Sequence, residues 1–345
     1  MHKRIWSLFL VAAIVLVVAG CGSNQSNGQG SSGNTAGNAD AANAGAANAG
    51  NDTATGPIVL KDAKGEVTLD KPAEKVVVLE WTYTEDIIAL GMQPVGNADN
   101  ENYGIYVTSE APLDASVTDV GTRDEPNLET IAALQPDLII GVTDSHEPIY
   151  DQLQGIAPTL LFDLYPKEGQ GDQYTIMEDT FKTIAAAVGK TAEGEKVLAD
   201  LDAHYAEAKE KLAAAGKDGL NYVLTQAFSY QNAATLRLFM DNSLAVQTLD
   251  RIGLKNDWKP ENFEAYGFTS STVEALPAVQ DTNLIYIVQE DDNVFSKELK
   301  DNAVWNGLNF VKENRTYALD STTWVFGGPV SSKVIVDEVV KTLTK

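Results

Sequence analysis

The stretch TAEGEKVLADLDAHYAEAKEKLAAA, residues 191–215, decides the fold. Its apolar residues Val197, Leu198, Leu201, Tyr205, Ala208 and Leu212 follow spacings of three and four, the stripe of a helix with one buried face. Glu195, Lys196, Asp200, Asp202, Glu207, Lys209, Glu210 and Lys211 take the other face. At about 1.5 Å per residue the helix is about 40 Å long. It lies at mid-chain, where a rigid strut between two lobes has to be. One continuous α/β sheet would leave it, and the amphipathic helix over 174–188 before it, without a place.

Outward from the strut, short buried strands alternate with helices on both sides, the pattern of α/β units with mostly parallel sheets. On the N-terminal side a hairpin over 58–69 turns at Asp62-Ala63-Lys64-Gly65. Strands follow at 76–79, from Pro94, at 138–142 and at 159–162. Thr84 is read as the N-cap of a helix that Gly91 ends, and 128–134 as another helix. On the C-terminal side strands are expected at 222–225, 284–288 and 315–319. Helices are expected at 243–252, capped by Asp241-Asn242, and at 330–343. One phrase occurs in both halves. Leu128-Glu129-Thr130-Ile131 precedes the strand at Leu138, and Thr272-Val273-Glu274-Ala275-Leu276 precedes the strand at Leu284. The expectation is two related α/β lobes, 57–173 and 216–345, joined through the helical block 174–215, with a cleft between them.

The N-terminus reads as an address. His2-Lys3-Arg4 precede a nearly unbroken apolar run over 5–19, and Val18-Ala19-Gly20-Cys21 closes it with small residues before the single cysteine. This is the pattern of an export signal, residues 1–20, shorter than the ~20 apolar residues of a spanning helix. Residues 22–56 are almost entirely Gly, Asn, Ala, Ser, Thr and Gln, with Asp40 and Asp52 their only charges. Such a composition cannot bury enough surface to order itself, and as a flexible tether it reaches on the order of 30 Å. Removing Lys3 and Arg4 with the signal takes the formal charge from −24 to −26. That excludes nucleic acid and anionic lipid as natural partners. A single cysteine leaves no disulfide, no thiolate metal site and no CxxC redox pair.

Three groups of residues now carry a resemblance. They are Val77-Val78-Leu79 with Glu85-Asp86-Ile87-Ile88-Ala89-Leu90-Gly91-Met92-Gln93-Pro94-Val95-Gly96; Asn127-Leu128-Glu129 with Leu134-Gln135-Pro136-Asp137-Leu138-Ile139; and, further on, Thr235-Leu236-Arg237-Leu238-Phe239, Asp241-Asn242-Ser243-Leu244 and Trp324-Val325-Phe326-Gly327-Gly328-Pro329. Over 58–345 the chain resembles cluster-III substrate-binding proteins of ABC importers for iron–siderophore complexes, haem and vitamin B12, and its last segments resemble the ferric-dicitrate-binding branch. Cys21 after Ala-Gly resembles a lipobox. That implies diacylation of Cys21 and anchorage at the outer face of the cell membrane, for which the long tether favours a Gram-positive surface. The resemblance further implies a permease and its ATPase as partners, a monomeric receptor and no cofactor. It implies that Glu129 and Glu274, one per lobe, dock on arginines of the permease; helix N-terminal acidity alone is the plainer account of both.

No catalytic constellation is visible: no GxSxG elbow, no phosphate loop and no histidine pair at metal-ligand spacing. The reading is therefore a non-enzymatic receptor, with a lipid-anchored hydrolase as the rival class. A ferric chelate arrives with its metal sphere filled by oxygen, so no protein metal ligand is required. Recognition asks for guanidinium forks and aromatic walls. Arg123, in the loop Gly121-Thr122-Arg123-Asp124-Glu125-Pro126, and Arg237, between Leu236 and Leu238, are the cationic candidates. Their alternatives are a local pair with Asp124 or Glu125 and a structural ion pair. Trp81, Tyr83, Trp324 and Phe326 follow strand ends, where α/β sheets bind ligands, and Tyr103 and Tyr106 lie in a loop. His146 is either ligand-lining or a solvated loop residue. Gly327-Gly328 either present N–H groups to an anion or form a tight helix entry. With only two such arginines, ferric citrate or a carboxylate siderophore is the first expectation, a hydroxamate complex the second, a catecholate the third, and haem or a corrinoid the least favoured.

Overall fold

The protein is seen in a computed structural model that describes residues 56–107 and 110–345. The signal, Cys21 and most of the tether lie outside the described residues.

The first sheet has five parallel strands in the order Thr118–Asp119, Gly96–Asn97, Val76–Val78, Leu138–Val142, Thr159–Phe162. Every residue of Val76–Val78, Leu138–Val142 and Thr159–Phe162 is buried, as expected of parallel strands covered on both faces. One face holds Val76, Val78, Leu138, Ile140 and Leu160 against helix Gln173–Ala187. The other holds Val77, Leu79, Ile139 and Ile131. The chain leaves the first strand, Val76–Val78, in the middle of the sheet, and the later strands are added first on one side and then on the other. That is the topological switch point of a doubly wound sheet, where the crevice at the strands' carboxyl ends takes ligands. The hairpin of Ile58–Asp62 and Gly65–Leu69 forms as expected.

The second sheet is parallel from its centre to one edge, where Asn221–Tyr230, Asn283–Val288 and Thr316–Ala318 pair side by side. Ala233–Phe239 and Phe268–Ser271 extend it with antiparallel pairing. The expected strand at 222–225 is thus longer, and it turns back through Gln231 and Asn232, both at positive φ (50° and 61°). Two residues in that conformation make the tight turn that suits strand twist.

Helix Thr191–Ala214 joins the lobes. Leu198 packs in the core of the first lobe, and Leu201, Tyr205, Ala208 and Leu212 in a core with Tyr222, Leu249, Ile335 and Leu343 of the second. At Gly194 it crosses helix Gln173–Ala187 so closely that a Cβ would stand 2.7 Å from that of Ala185.

Two expected caps are corrected. The first-lobe helix is Trp81–Ala89, and its cap is Glu80, whose carboxylate accepts the Trp81 N–H at 2.9 Å. The strand runs into the helix with no polar loop between, so the carboxylate at the junction does the capping. Thr84 is interior and buried, its hydroxyl bonded to Asn97. For Leu244–Arg251 the cap is Ser243, which accepts the Val246 N–H at 3.3 Å, and not Asp241-Asn242.

Candidate functional site

The carboxyl ends of both sheets face one cavity of about 560 Å³. The first lobe supplies Trp81, Asp99, Asn102, Tyr106 and Arg123; the second supplies Gln226, Phe228, Ser229, Arg237, Gln289, Asp291, Asp292 and Trp324. Trp81, Asp99 and Arg123 follow three neighbouring strands of the first sheet. The two arginines expected from sequence therefore share a cavity, one from each lobe.

Arg123 is held on several sides. Its Nη1 lies 2.9 Å from Glu80 Oε1, and its guanidinium stacks 3.9 Å from the Trp81 ring centroid. Glu80 is buried, and burial raises its carboxyl while the Arg123 charge opposes the rise. The local pairs with Asp124 or Glu125 do not form; Asp124 accepts from the Ser145 hydroxyl. His146 is neither ligand-lining nor solvated. It is fully buried, its Nε2–H donates to the Arg123 carbonyl at 2.8 Å, and its Nδ1 accepts the Val142 N–H at 3.0 Å. Burial lowers its pKa, in keeping with a neutral ring that braces the arginine loop.

Arg237 is built differently. Strand alternation sends Leu236 and Leu238 into the core and turns Arg237 to the opposite face. It stands directly across from Gln226, whose Oε1 accepts from its Nη1 at 3.0 Å. The rings of Phe228 and Phe268 each lie 4.9 Å from its guanidinium carbon. Burial lowers its pKa, yet a guanidinium stays charged in proteins. Among the described residues it has no carboxylate partner.

The aromatic wall runs across the cleft. Trp81 and Trp324 approach to 5.3 Å between ring centroids, and Tyr106 stacks on Trp81 at 6.3 Å with 19° between planes. Three expected contacts are corrected. Tyr83 is buried in the first-lobe core against Phe162, because residues 81 and 83 sit on a helix and point apart. Tyr103 lies in helix Asn100–Tyr106, not in a loop; it is buried, its hydroxyl donates to the Ala111 carbonyl, and Tyr106 takes the cavity position. Phe326 packs behind the wall on Phe239, Phe268 and Trp324. Gly327-Gly328 form a tight helix entry, and the Gly328 N–H is taken by the Glu85 carboxyl group of the other lobe. Gln226, Asn102 and the three aspartates Asp99, Asp291 and Asp292 line the cavity without any signal in the sequence.

Tyr165 and Tyr266 meet across the lobes at 4.6 Å. A smaller space of about 200 Å³ lies beside them, with Arg123 bordering both cavities. Glu129 and Glu274 are exposed in the first turns of Leu128–Leu134 and Val273–Val279. Among the described residues no three His, Cys, Asp or Glu side chains converge to hold a metal.

Residues 76–323 match the periplasmic binding protein family. The Fe(3+)-citrate-binding protein YfmC of Bacillus subtilis (strain 168) is 32% identical over 340 residues, 98% of this chain and 95% of that protein. The Fe(3+) dicitrate-binding periplasmic protein FecB of Escherichia coli (strain K12) is 28% identical over 284 residues, 82% of this chain and 89% of that protein. The crystal structure of the siderophore binding protein FhuD from Vibrio cholerae, with Fe3+–Desferal bound, superposes with a TM-score of 0.71 at 27% identity, covering 79% of this chain and 98% of that one. With two lobes, a long connecting helix and a cavity between the sheet ends, this chain belongs to the periplasmic binding protein family.

Proposed function

We propose that this protein is the substrate-binding component of an ABC importer and captures a ferric siderophore between its lobes, a citrate or other carboxylate-type complex first. The observation that carries this reading is that Arg123 and Arg237, one per lobe, line one cavity walled by Trp81, Tyr106 and Trp324. A cavity of about 560 Å³ suits a small chelate. Guanidinium forks match carboxylates bidentately, and the likeness to the two citrate-binding relatives supports the same ligand. A hydroxamate complex is the second reading. Asp99, Asp291 and Asp292 in the lining favour a complex of low negative charge.

In this reading Cys21 carries the lipid, residues 22–56 tether the body to the outer face of a Gram-positive membrane, and Glu129 and Glu274 dock on the permease. Their exposure in matching first turns supports that role.

The test is a tryptophan fluorescence titration of the protein with ferric citrate, ferrioxamine and a ferric triscatecholate, with iron-free chelators as controls. Saturable quenching by ferric citrate is the expected outcome. Response to ferrioxamine alone selects the second reading, and no response to any of the three refutes both. In cells, Glu129→Ala with Glu274→Ala should leave chelate binding intact and abolish uptake. Cys21→Ala should release the chain from the membrane fraction. Undiminished uptake or unchanged anchorage would remove those assignments.

A further inference from the structure

Helix Trp81–Ala89 of the first lobe packs on the start of helix Pro329–Leu343 of the second. Two adjacent carboxylates are buried there, Glu85 at 0% and Asp86 at 1% exposure. Glu85 Oε1 accepts the N–H groups of Gly328 at 2.8 Å and Ser331 at 2.7 Å, and its Oε2 accepts the Ser331 hydroxyl. A carboxylate of one lobe thus caps the last helix of the other, at the positive end of its dipole. Asp86 is the opposite case: its Oδ1 is buried with no hydrogen-bond partner. The glycines before the helix are dictated by this packing. A Cβ at 327 would stand 2.5 Å from Glu85 Oε2, and one at 328 would overlap Asp86 Oδ1.

A carboxylate buried without donors, beside another carboxylate, is ionised only at large cost. The groups around the pair do not relieve it. The phenols Tyr83 and Tyr103 are the titratable neighbours that feel its charge. On the final helix Lys333 is engaged with Asp337 and Glu110, and Lys341 with Glu338. On Gln173–Ala187, which also packs on helix Trp81–Ala89, Lys182 sits by Glu178, and Asp179 adds only further negative charge.

The joint is continuous with the cleft wall. Trp81 opens the helix that carries Glu85, and Trp324 lies just before Gly327-Gly328. The Thr82 hydroxyl donates to the Phe326 carbonyl at 2.6 Å between them. We propose that Glu85 and Asp86 form a proton-holding joint that positions Trp81 against Trp324 across the lobes, so that proton loss loosens the joint and makes the shape of the cleft responsive to pH. Both act as positioning residues and touch no ligand.

Burial pushes the Glu85 carboxyl from 4.5 to about 7, against the donors of Ser331, Gly328 and Val330. Burial and then the Glu85 charge push Asp86 well above the carboxylate range. A carboxyl raised on folding stabilises the fold fully below its unfolded pKa, and that stabilisation is lost as pH rises to its folded pKa. For Glu85 the loss runs from about pH 5 to about pH 7 and is complete above; for Asp86 it continues to higher pH.

Urea unfolding of the ligand-free full chain at a series of pH values tests this. Relative to Glu85→Gln, the wild type should lose about tenfold in its folding constant per pH unit between about pH 5 and 7, and nothing further above. Relative to Asp86→Asn, the loss should continue above pH 7. The near-ultraviolet circular dichroism of the wild type should change over the lower range, and that of Glu85→Gln should not. Differences that stay constant with pH overturn the proposal. If the variants do not fold, the infrared carbonyl band of a protonated carboxylic acid in the folded wild type at pH 7 decides the matter, and its absence is fatal.

Discussion

Arg123 and Arg237 point into the same cavity from opposite lobes, yet they are different devices. Arg123 is answered within its own lobe by a buried carboxylate, a tryptophan face and a backbone brace from His146. Among the described residues Arg237 is answered only by a neutral amide and two phenylalanine rings. A guanidinium already neutralised contributes shape and a fork held in place. One that is desolvated without a counter-charge keeps its field for whatever enters. In a chain of formal charge −24 such a field is local, and the second lobe is where it is found. Counting cavity arginines therefore overstates the positive charge a ligand meets.

The largest effect should come from breaking the compensated site. Arg123→Ala leaves Glu80 buried and unpaired. Removing one partner of a buried pair costs about 3–5 kcal/mol. Arg123 is itself about one-third exposed, so the low end, about 3 kcal/mol of unfolding free energy, is expected. The loss should depend on pH with a definite sign. Glu80 already has a raised carboxyl, through burial, and losing the Arg123 charge raises it further. A carboxyl raised on folding loses its stabilisation as pH climbs. The penalty of Arg123→Ala should therefore grow from pH 5 to pH 8 in urea unfolding, and Glu80→Gln on the same background should flatten it. A penalty independent of pH would mean that the pair is not the structural element described.

How far this contrast was legible in the sequence depends on which signal each residue leaves. The two lobes and the strut were legible because helical periodicity and buried strand runs are local patterns. Trp81 and Tyr83 carry the same signal, a ring just past a central strand, and only Trp81 reaches the cavity. Arg237 is picked out by its place between Leu236 and Leu238, and strand alternation puts it on the other face from both. Tyr83 is misplaced because the sequence puts the helix cap at Thr84. With the helix beginning at Trp81, two residues are about 200° of rotation, and Tyr83 faces the core. Glu80, Gln226, Asp291 and Asp292 left no trace. Short polar residues next to strands and turns are common, and only the tertiary pairing of Gln226 with Arg237, or of Glu80 with Arg123, gives them a role.

The smaller effect sharpens the other half of the contrast. Arg237→Ala removes no partner from a buried charge. Gln226 loses one charge-assisted hydrogen bond, and Phe228 and Phe268 lose a cation over their faces, but the cost of desolvating that cation is relieved as well, so stability should change by only about 1 kcal/mol. Affinity should respond more. A charge-assisted hydrogen bond to a ligand carboxylate contributes about 1.5–3 kcal/mol, so the dissociation constant for ferric citrate should rise roughly 10- to 100-fold. Arg237→Lys should recover part of this and not all, because an ammonium keeps the charge but loses the planar fork. The two arginines thus separate on two axes: Arg123→Ala chiefly lowers the urea midpoint, and Arg237→Ala chiefly weakens the fluorescence titration. Equal loss of stability in both variants would show that Arg237 is a second structural pair, and that the ligand's charge is met elsewhere in the cavity.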